Sequence, residues 1–528
     1  MSREMYLREM YLRHASHYQE VLSTADDLYV NGGTDLQRSY QLVDSEWVNV
    51  QAGQAWAEAH SDEDEEAASL CSAYPGEGIY LLHQTRHARE RLRWLEAALA
   101  AARRLKDRVS EGAHLGNIGV AYLDLGEPQR AIEFLDQALE ITRETSDRRG
   151  ESSDLGNLGN AHADLGQLHR AVEFYHQALV IDRELGNRRG EGEDLTSLAT
   201  AHFRLGDVKL SIKLYKERLA IARETKDLSG EGRALGGLGT AYSTQGRYKS
   251  AVRYYRQELA IARQVRDRTG ESNALSNLGL VCAASGQQRR AIKLYEQALS
   301  IDRELGDRRG EGVVLGNLGQ AYTNLGDLDG ALKLYEQALL VSRETGDAQG
   351  ESADLCNLGN LYQRSGEPRQ AVKVYIEALK IAHQIEDRRG QSTILLNLGN
   401  AFYALGKTED AVKFYETALS TARELNDRAC EETALGNLGN CYYALGDLAR
   451  AKDFYDQSIT LSRKIGDKDG EGTAMFNKSI VLDRLGYRAQ AITHAEAALQ
   501  LFEEIEEPQA IAIREKLAEW RRVDISAH

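Results

Sequence analysis

Asparagine is a poor residue for the middle of a helix. Even so, one stands at each of Asn117, Asn157, Asn277, Asn317, Asn357, Asn397, Asn437 and Asn477, at spacings that are multiples of forty residues. The amide carries donors and an acceptor on one planar group. It can therefore bond the C=O and the N–H of an extended peptide without reading that peptide's side chains. A second column, Asn160, Asn360, Asn400 and Asn440, falls three residues after the first, and Arg364, Tyr403 and Tyr443 share its surface in helical phase. Gly116, Gly156, Gly236, Gly316 and Gly436 stand beside the first column. A helical glycine costs about 1 kcal/mol relative to alanine, so these positions are expected to leave room for something to approach. Stacked helices lie about 8–10 Å apart, roughly three residues of extended chain. One asparagine per copy would thus meet a peptide backbone at about every third residue, each bond worth about 1 kcal/mol net. The competing role is structural: the same amides can bond neighbouring helices and hold the stack together.

Other chemistry fails on inspection. Leu405-Gly406-Lys407-Thr408 imitates the end of a phosphate-binding loop, but Ala401 stands where the first glycine belongs and no strand precedes it. Metalloprotease motifs and nucleophile elbows are absent from the sequence, so no enzyme, catalytic residue or cofactor is expected. His83 and His87 are spaced i, i+4 but lack a third metal ligand. Asp62 to Glu66, following Ser61, suit the solvated first turn of a helix capped by that serine. The net charge of -16 argues against nucleic acid as a partner, and the asparagine face carries no paired basic residues for RNA. No apolar run approaches the roughly 18–20 residues that span a membrane. The five cysteines have no paired spacing, and the start lacks an apolar signal core. A soluble, cytoplasmic protein is expected. Arg3-Glu4-Met5-Tyr6-Leu7 is duplicated at once as Arg8 to Leu12, and no function attaches to it.

The asparagines recur because the whole chain does. Ten forty-residue copies align without insertion from about Asp107 to Glu506. In the second copy, helix A runs from about Glu151 to Leu165 and helix B from about Leu168 to Leu185. Leu155, Leu158, His162 and Leu165 make the buried stripe of helix A, and Ala171, Tyr175, Ala178 and Leu179 that of helix B. The tyrosine returns at 215, 255, 295, 335, 375, 415 and 455, in the phase of packing. Gly186, Gly306, Gly346 and Gly466 are placed to end B helices in a left-handed conformation. The segment Asp-Arg-Arg-Gly-Glu reads as a loop. A column of arginines (143, 183, 223, 263, 303, 343, 423, 463) precedes a column of aspartates by four residues, and Arg–Asp and Arg–Glu pairs are expected to tie neighbouring copies. Residues 1–106 form a helical N-terminal cap, with helices over about Glu4 to Tyr29, from Thr34 or Asp35 to His60, and around Ile79 to Thr85. Within it, Arg91 to Lys106 match a B helix, the second half of an irregular zeroth copy. Residues 507–528 supply a capping helix, Pro508 to Val523, with Trp520 on the last B helix.

Leu-x-x-Gly-x-x-Tyr in helix A followed by Ala-x-x-x-Tyr-x-x-Ala in helix B resembles the tetratricopeptide repeat. The forty-residue unit is similar to the Leu-Gly-Asn repeats of Pins-type polarity scaffolds, and less closely to kinesin light chains. The resemblance covers 107–506 and implies an all-α, right-handed superhelix, an α-solenoid, whose A helices line a concave groove holding a peptide or partner protein. Both asparagine columns match family positions that contact peptide. The departures are Ser197 and Gly237, where the column is interrupted and Glu193, Arg204 and Arg233 are offered instead. They break a continuous track, and the tightest binding is expected between Asn357 and Asn440. A terminal-carboxylate clamp is not expected, because the position of its lysine is Gly116, Gly156 or Gly316. His17-Tyr18, Asp44 to Trp47 and Arg91 to Glu96 resemble the arm that joins ATPase and repeats in bacterial signal-transducing NTPases of the NB-ARC type. That resemblance implies an alternative role as the sensor or autoinhibitory arm of a separate effector, which residues upstream of Met1 in the genomic frame would decide.

Overall fold

The computed structural model describes residues 3–31, 34–78, 88–505 and 507–525. Among these residues there are twenty-five α-helices and no strands. The fold is an all-α superhelical solenoid. It divides into two compact units, 1–266 and 267–528. The helix expected around Ile79 to Thr85, with His83 and His87, lies outside the described residues. No described helix is long and apolar enough to cross a membrane.

The first unit opens with α1 (Arg3–Asn31), α2 (Thr34–His60), α3 (Glu65–Ala73) and α4 (Ala88–Leu105). Trp94 of α4 is buried and stacks on Trp47 at 5.4 Å, while the Tyr74 hydroxyl donates to the carbonyl of Ala15 at 2.7 Å. Leu95 and Leu99 of α4 join the core of the first repeat, as a B helix would. The cap of α3 is Asp64 rather than Ser61: residues 61–63 form a turn, and the Asp64 carboxylate accepts from the N–H of Glu66 at 3.0 Å. Nor is the acidic run simply solvated, since Arg8 bridges Asp64 and Glu66 at 2.5 and 2.6 Å.

Four helix pairs complete this unit. In the second pair the A helix is Arg148–Asp164 and the B helix Leu168–Leu185. The segment expected to be a loop is therefore helix. Asp147 is the N-cap, its carboxylate accepting from the N–H of Gly150 at 3.0 Å, and Arg148 to Glu151 are the first turn. The aspartate column is thus a column of caps, and the arginines pair with the glutamate eight residues on. Arg143 Nε donates to Glu151 at 2.9 Å; Arg148 donates to Glu151 and to Glu184, both at 2.6 Å. One glutamate so joins a B helix to the A helix after it, and Arg148 carries the link to the next B helix. Gly186 ends the B helix at φ +66, and Ser146 and Lys226 take the same conformation without glycine. The second helix-A glycine has a simple cause: a Cβ on Gly159 would lie 2.4 Å from the Tyr175 ring.

The second unit holds six such pairs and a closing helix, Gln509–Ile525. Ile513, Leu517 and Trp520 of that helix are buried in the core shared with Phe502 of the last B helix.

Candidate functional site

The second asparagine column is held from behind. In four repeats the hydroxyl of the B-helix tyrosine donates to the Oδ1 of the asparagine on its own A helix: Tyr175 to Asn160 at 2.8 Å, Tyr375 to Asn360 at 2.6 Å, Tyr415 to Asn400 at 2.6 Å and Tyr455 to Asn440 at 2.7 Å. Where the column departs from asparagine, Thr200 and Thr240 still meet their tyrosines at 2.9 Å. The tyrosines therefore pack and also fix the rotamer of the groove residue.

In the last repeats the two columns interlock. Asn437 Nδ2 donates to Asn400 Oδ1 at 3.2 Å, and Asn477 Nδ2 to Asn440 Oδ1 at 3.3 Å. Asn397 Nδ2 meets Cys356 Sγ at 3.4 Å. Each shared Oδ1 accepts two donors, which leaves Asn400 and Asn440 their Nδ2 and Asn437 and Asn477 their Oδ1. Donor and acceptor groups thus alternate along the face. Asn117, Asn157, Asn277, Asn317 and Asn357 are half-buried on the corresponding faces of their own A helices. Arg364 and Tyr403 are exposed, and Arg484 lies 4.6 Å over the Tyr443 ring.

The glycines of the first column differ in what they face. At Gly116 the space is filled by Asp154, 2.8 Å from a Cβ position, and at Gly236 by Glu258 at 2.5 Å. At Gly156, Gly316 and Gly436 the nearest atoms are 3.8, 3.7 and 3.9 Å away. Cavities open beside two of these. One, of about 300 Å³, is lined by Gly156, Asn157, Asn160 and Asp194; the other, of about 310 Å³, by Gly316, Asn317, Asn357 and Asp354. Asn157, Asn160 and Ser197 also line an adjoining cavity of about 470 Å³ with Thr200 and Arg204. Gly237, by contrast, packs on Tyr215, whose ring would meet a Cβ at 2.4 Å, so no asparagine fits there.

The residues missed by sequence reasoning are the buried acids beside the first-column glycines: Asp194 and Asp354 line these cavities, and Asp154 fills the space at Gly116. Asp154, Asp194 and Asp354 are 5, 7 and 7 % exposed. Burial pushes their carboxyls up, to about 7, about 8 and about 6. Asp154 accepts from Thr142 at 3.2 Å and Asp354 from Ser342 at 2.7 Å. A column reading could have found them, since Asp154 and Asp354 stand twelve residues after a hydroxyl, Thr142 and Ser342, and Asp194 twelve after Asp182.

A pH-dependence follows for Asp354. Its folded value, raised by burial, exceeds the ordinary carboxylate value, so folding favours the protonated form. Its contribution is complete below the unfolded value near 4 and is lost as pH rises toward 6. Asp354→Asn should therefore gain on the wild type between pH 4 and 7, by about 2–3 kcal/mol. Denaturant melts of both proteins across that range check this; parallel pH profiles would refute it.

Among known proteins, tetratricopeptide repeat models match residues 152–224, 194–264, 230–304, 310–384, 355–424 and 429–504, and a second model of that repeat matches 112–149. No curated protein matches the chain. Similar solved structures include BtubC from P. vanneervenii, at 24% identity and a TM-score of 0.39, over 42% of this chain and 92% of that one. The quorum sensor NprR from B. thuringiensis is similar at 18% identity and a TM-score of 0.46, over 69% of this chain and 99% of that one. A signal transduction ATPase with a tetratricopeptide repeat sensor, from Pyrococcus horikoshii, is similar at 17% identity and a TM-score of 0.46, over 59% of this chain and 50% of that one. The matched repeat models span well over half of the sequence, and the chain belongs to the tetratricopeptide repeat family.

Proposed function

We propose that this protein is a peptide- or protein-binding scaffold that holds an extended segment of its partner along the A-helix face. The contacts are made by Asn117, Asn157, Asn160, Asn277, Asn317, Asn357, Asn360, Asn397, Asn400, Asn437, Asn440 and Asn477, with Arg364, Tyr403 and Tyr443 supplying side-chain surface. The observation that carries this reading is the interlocked ladder: Tyr415 and Tyr455 and the neighbouring amides fix the asparagines, yet each keeps a donor or an acceptor unspent. A peptide backbone supplies both complementary groups at regular spacing. Part of the asparagines' energy goes into the stack, so their two roles coexist. The net charge of -16 disfavours nucleic acid and anionic membrane surfaces as partners.

The test is a capture experiment from native lysate with the full chain, wild type beside an Asn357→Ala, Asn397→Ala, Asn437→Ala triple variant. The expected result is a partner retained by the wild type and reduced at least tenfold with the variant, with a circular dichroism melt lowered by only a few degrees. Equal capture by both proteins would overturn the assignment to the asparagines. A collapsed melt would make the ladder purely structural.

A further inference from the structure

At six of the ten junctions between a B helix and the next A helix, residues twelve apart pair in one of two ways. A hydroxyl on the B helix faces an acid on the A helix, as Thr142 faces Asp154 and Ser342 faces Asp354. Alanine faces an apolar residue, as at Ala222 and Ala234, Ala382 and Ile394, and Ala422 and Ala434. Four junctions depart from both: Ala102 stands in register with His114, Asp302 with Val314 and Ser462 with Ala474, while Asp182 and Asp194 place an acid against an acid. Asp182 is 4 % exposed, and its Oδ1 accepts from the Asn187 side chain at 2.9 Å. Asp194 receives no such donor: it is 7 % exposed and its Oδ2 is buried without a hydrogen-bond partner. Its other oxygen looks across the cavity at Gly156, 3.8 Å from where a Cβ would stand. A buried carboxyl left unpartnered costs about 1–3 kcal/mol, and this one lines an open cavity of about 300 Å³ beside Asn157 and Asn160.

From this geometry we infer that the cavity is a subsite for a basic side chain of the bound segment, its ammonium or guanidinium donating to Asp194. The inference deepens the groove reading and rests on it for the peptide backbone, which Asn157 and Asn160 would hold at the rim. A cation supplies the donor that Thr142 and Ser342 each supply in their own repeat, and it neutralises the acid pair. A metal ion fits less well: among the described residues no group of three or more metal-ligating acids, histidines or cysteines exists, whereas calcium takes six to eight oxygens.

Binding should be linked to protons. Burial first, then Asp182 and Glu193, push the Asp194 carboxyl up to about 8. The other charged groups around the cavity are Arg149 on the facing A helix and Arg189, which pairs with Glu193 at 3.4 Å. Arg218 of the following B helix packs on Gly192, on the same A helix as Asp194. A cation stabilises the carboxylate, so its affinity should rise as pH climbs from 7 to 9, with one proton released per cation bound at pH 7.

The probes are Nα-acetyl-arginine methylamide and Nα-acetyl-lysine methylamide, with Nα-acetyl-norleucine methylamide as the neutral control, titrated into the full chain at pH 7, 8 and 9. Saturable binding of the basic probes is expected, at least tenfold tighter than the control and strengthening with pH. Asp194→Asn should lose the preference tenfold and the pH slope with it. Asp182→Ser, which restores the hydroxyl seen at Ser342, should weaken the basic probes while the protein still melts cooperatively. The triple asparagine variant, altered only in the other unit, should bind them unchanged, so that failure of the 357–437 ladder and failure of this subsite are read separately. No preference for the basic probes at pH 9, an Asp194→Asn variant equal to wild type, or calcium competing at micromolar concentration would each overturn the proposal.

Discussion

Tyr375→Ala should unlock one repeat and leave the other unit intact. Tyr375 is fully buried; its ring fills the space where a Cβ on Gly359 would come within 2.3 Å, and its hydroxyl both donates to Asn360 at 2.6 Å and accepts from Gln363 at 3.1 Å. Truncation removes a whole aromatic ring opposite a glycine, which has no side chain to refill the void. Large-to-small changes of this kind cost about 3–5 kcal/mol. In a solenoid each repeat is stabilised by its neighbours, so the loss is local before it is global. Hydrogen exchange is the suitable readout: amides of Ala348–Arg364 and Pro368–Gln384 should lose protection by about two to three orders of magnitude. Residues 1–266 should keep theirs. Tyr375→Phe separates the two roles of the ring and the hydroxyl. It retains the packing and loses about 1 kcal/mol, but it releases Asn360, so partner capture should fall more than stability does. Uniform loss of protection along the whole chain would refute the local account.

The forty-residue period, the two helices per copy and the tyrosine stripe were legible because they are repetitive: one copy's ambiguity is settled by nine others. What was misread is equally instructive. Asp147-Arg148-Arg149-Gly150 looks like a loop by composition, yet Asp147 caps a helix whose first turn those residues form. A cap and a turn draw on the same residues, and only the direction of the side chain distinguishes them. The same confusion placed a cap at Ser61 when Asp64 holds it. Of the Arg–Asp and Arg–Glu pairs expected for the arginine column, the Arg–Glu ones form, with Glu151 and its equivalents, while the aspartates cap the A helices.

The candidate site was legible only on one side. Asparagines on an exposed face announce themselves by defying helix propensity, and sequence alone places them. The bond from Tyr455 to Asn440, or the acid pair of Asp182 and Asp194, depends on which residues two different helices bring together. Those contacts are visible only when columns are compared in pairs. Where a column holds a charge, as at Asp182 and Arg218, that charge is compensated, or left uncompensated, by a residue of the neighbouring helix. An uncompensated departure is the one that points to a ligand.

At Arg218 the charge is compensated, although its Nε is buried without a hydrogen-bond partner. Arg218 stands where Ala138, Ala178, Ala298 and Ala338 stand in other copies, and it is 1 % exposed. Room is made by Gly192 and Gly230: Cβ atoms there would come within 2.7 and 1.6 Å of its guanidinium. Its charge is met by Asp227, which also caps the next A helix through the Gly230 N–H at 2.8 Å. Asp227→Ala should therefore be among the most damaging single changes in the first unit. It strands a buried guanidinium, costing about 3–5 kcal/mol, and removes a cap worth about 1 kcal/mol more. Arg218→Met should behave oppositely. It deletes the charge, keeps most of the volume and leaves Asp227 its capping role, so stability should be unchanged or higher by about 1–4 kcal/mol. Acid titration supplies an independent check. Burial raises the Asp227 carboxyl, but the Gly230 N–H and Arg218 together outweigh it and hold the group below the usual carboxylate range. Its contribution is then present above the unfolded value near 4 and is lost as pH falls through the lower folded value. The gap between wild type and Asp227→Ala should be full at pH 6 and narrow steadily below pH 4 in urea melts. If Arg218→Met proved as damaging as Asp227→Ala, the guanidinium would be stabilising in its own right, and the buried pair would be more than a compensated departure.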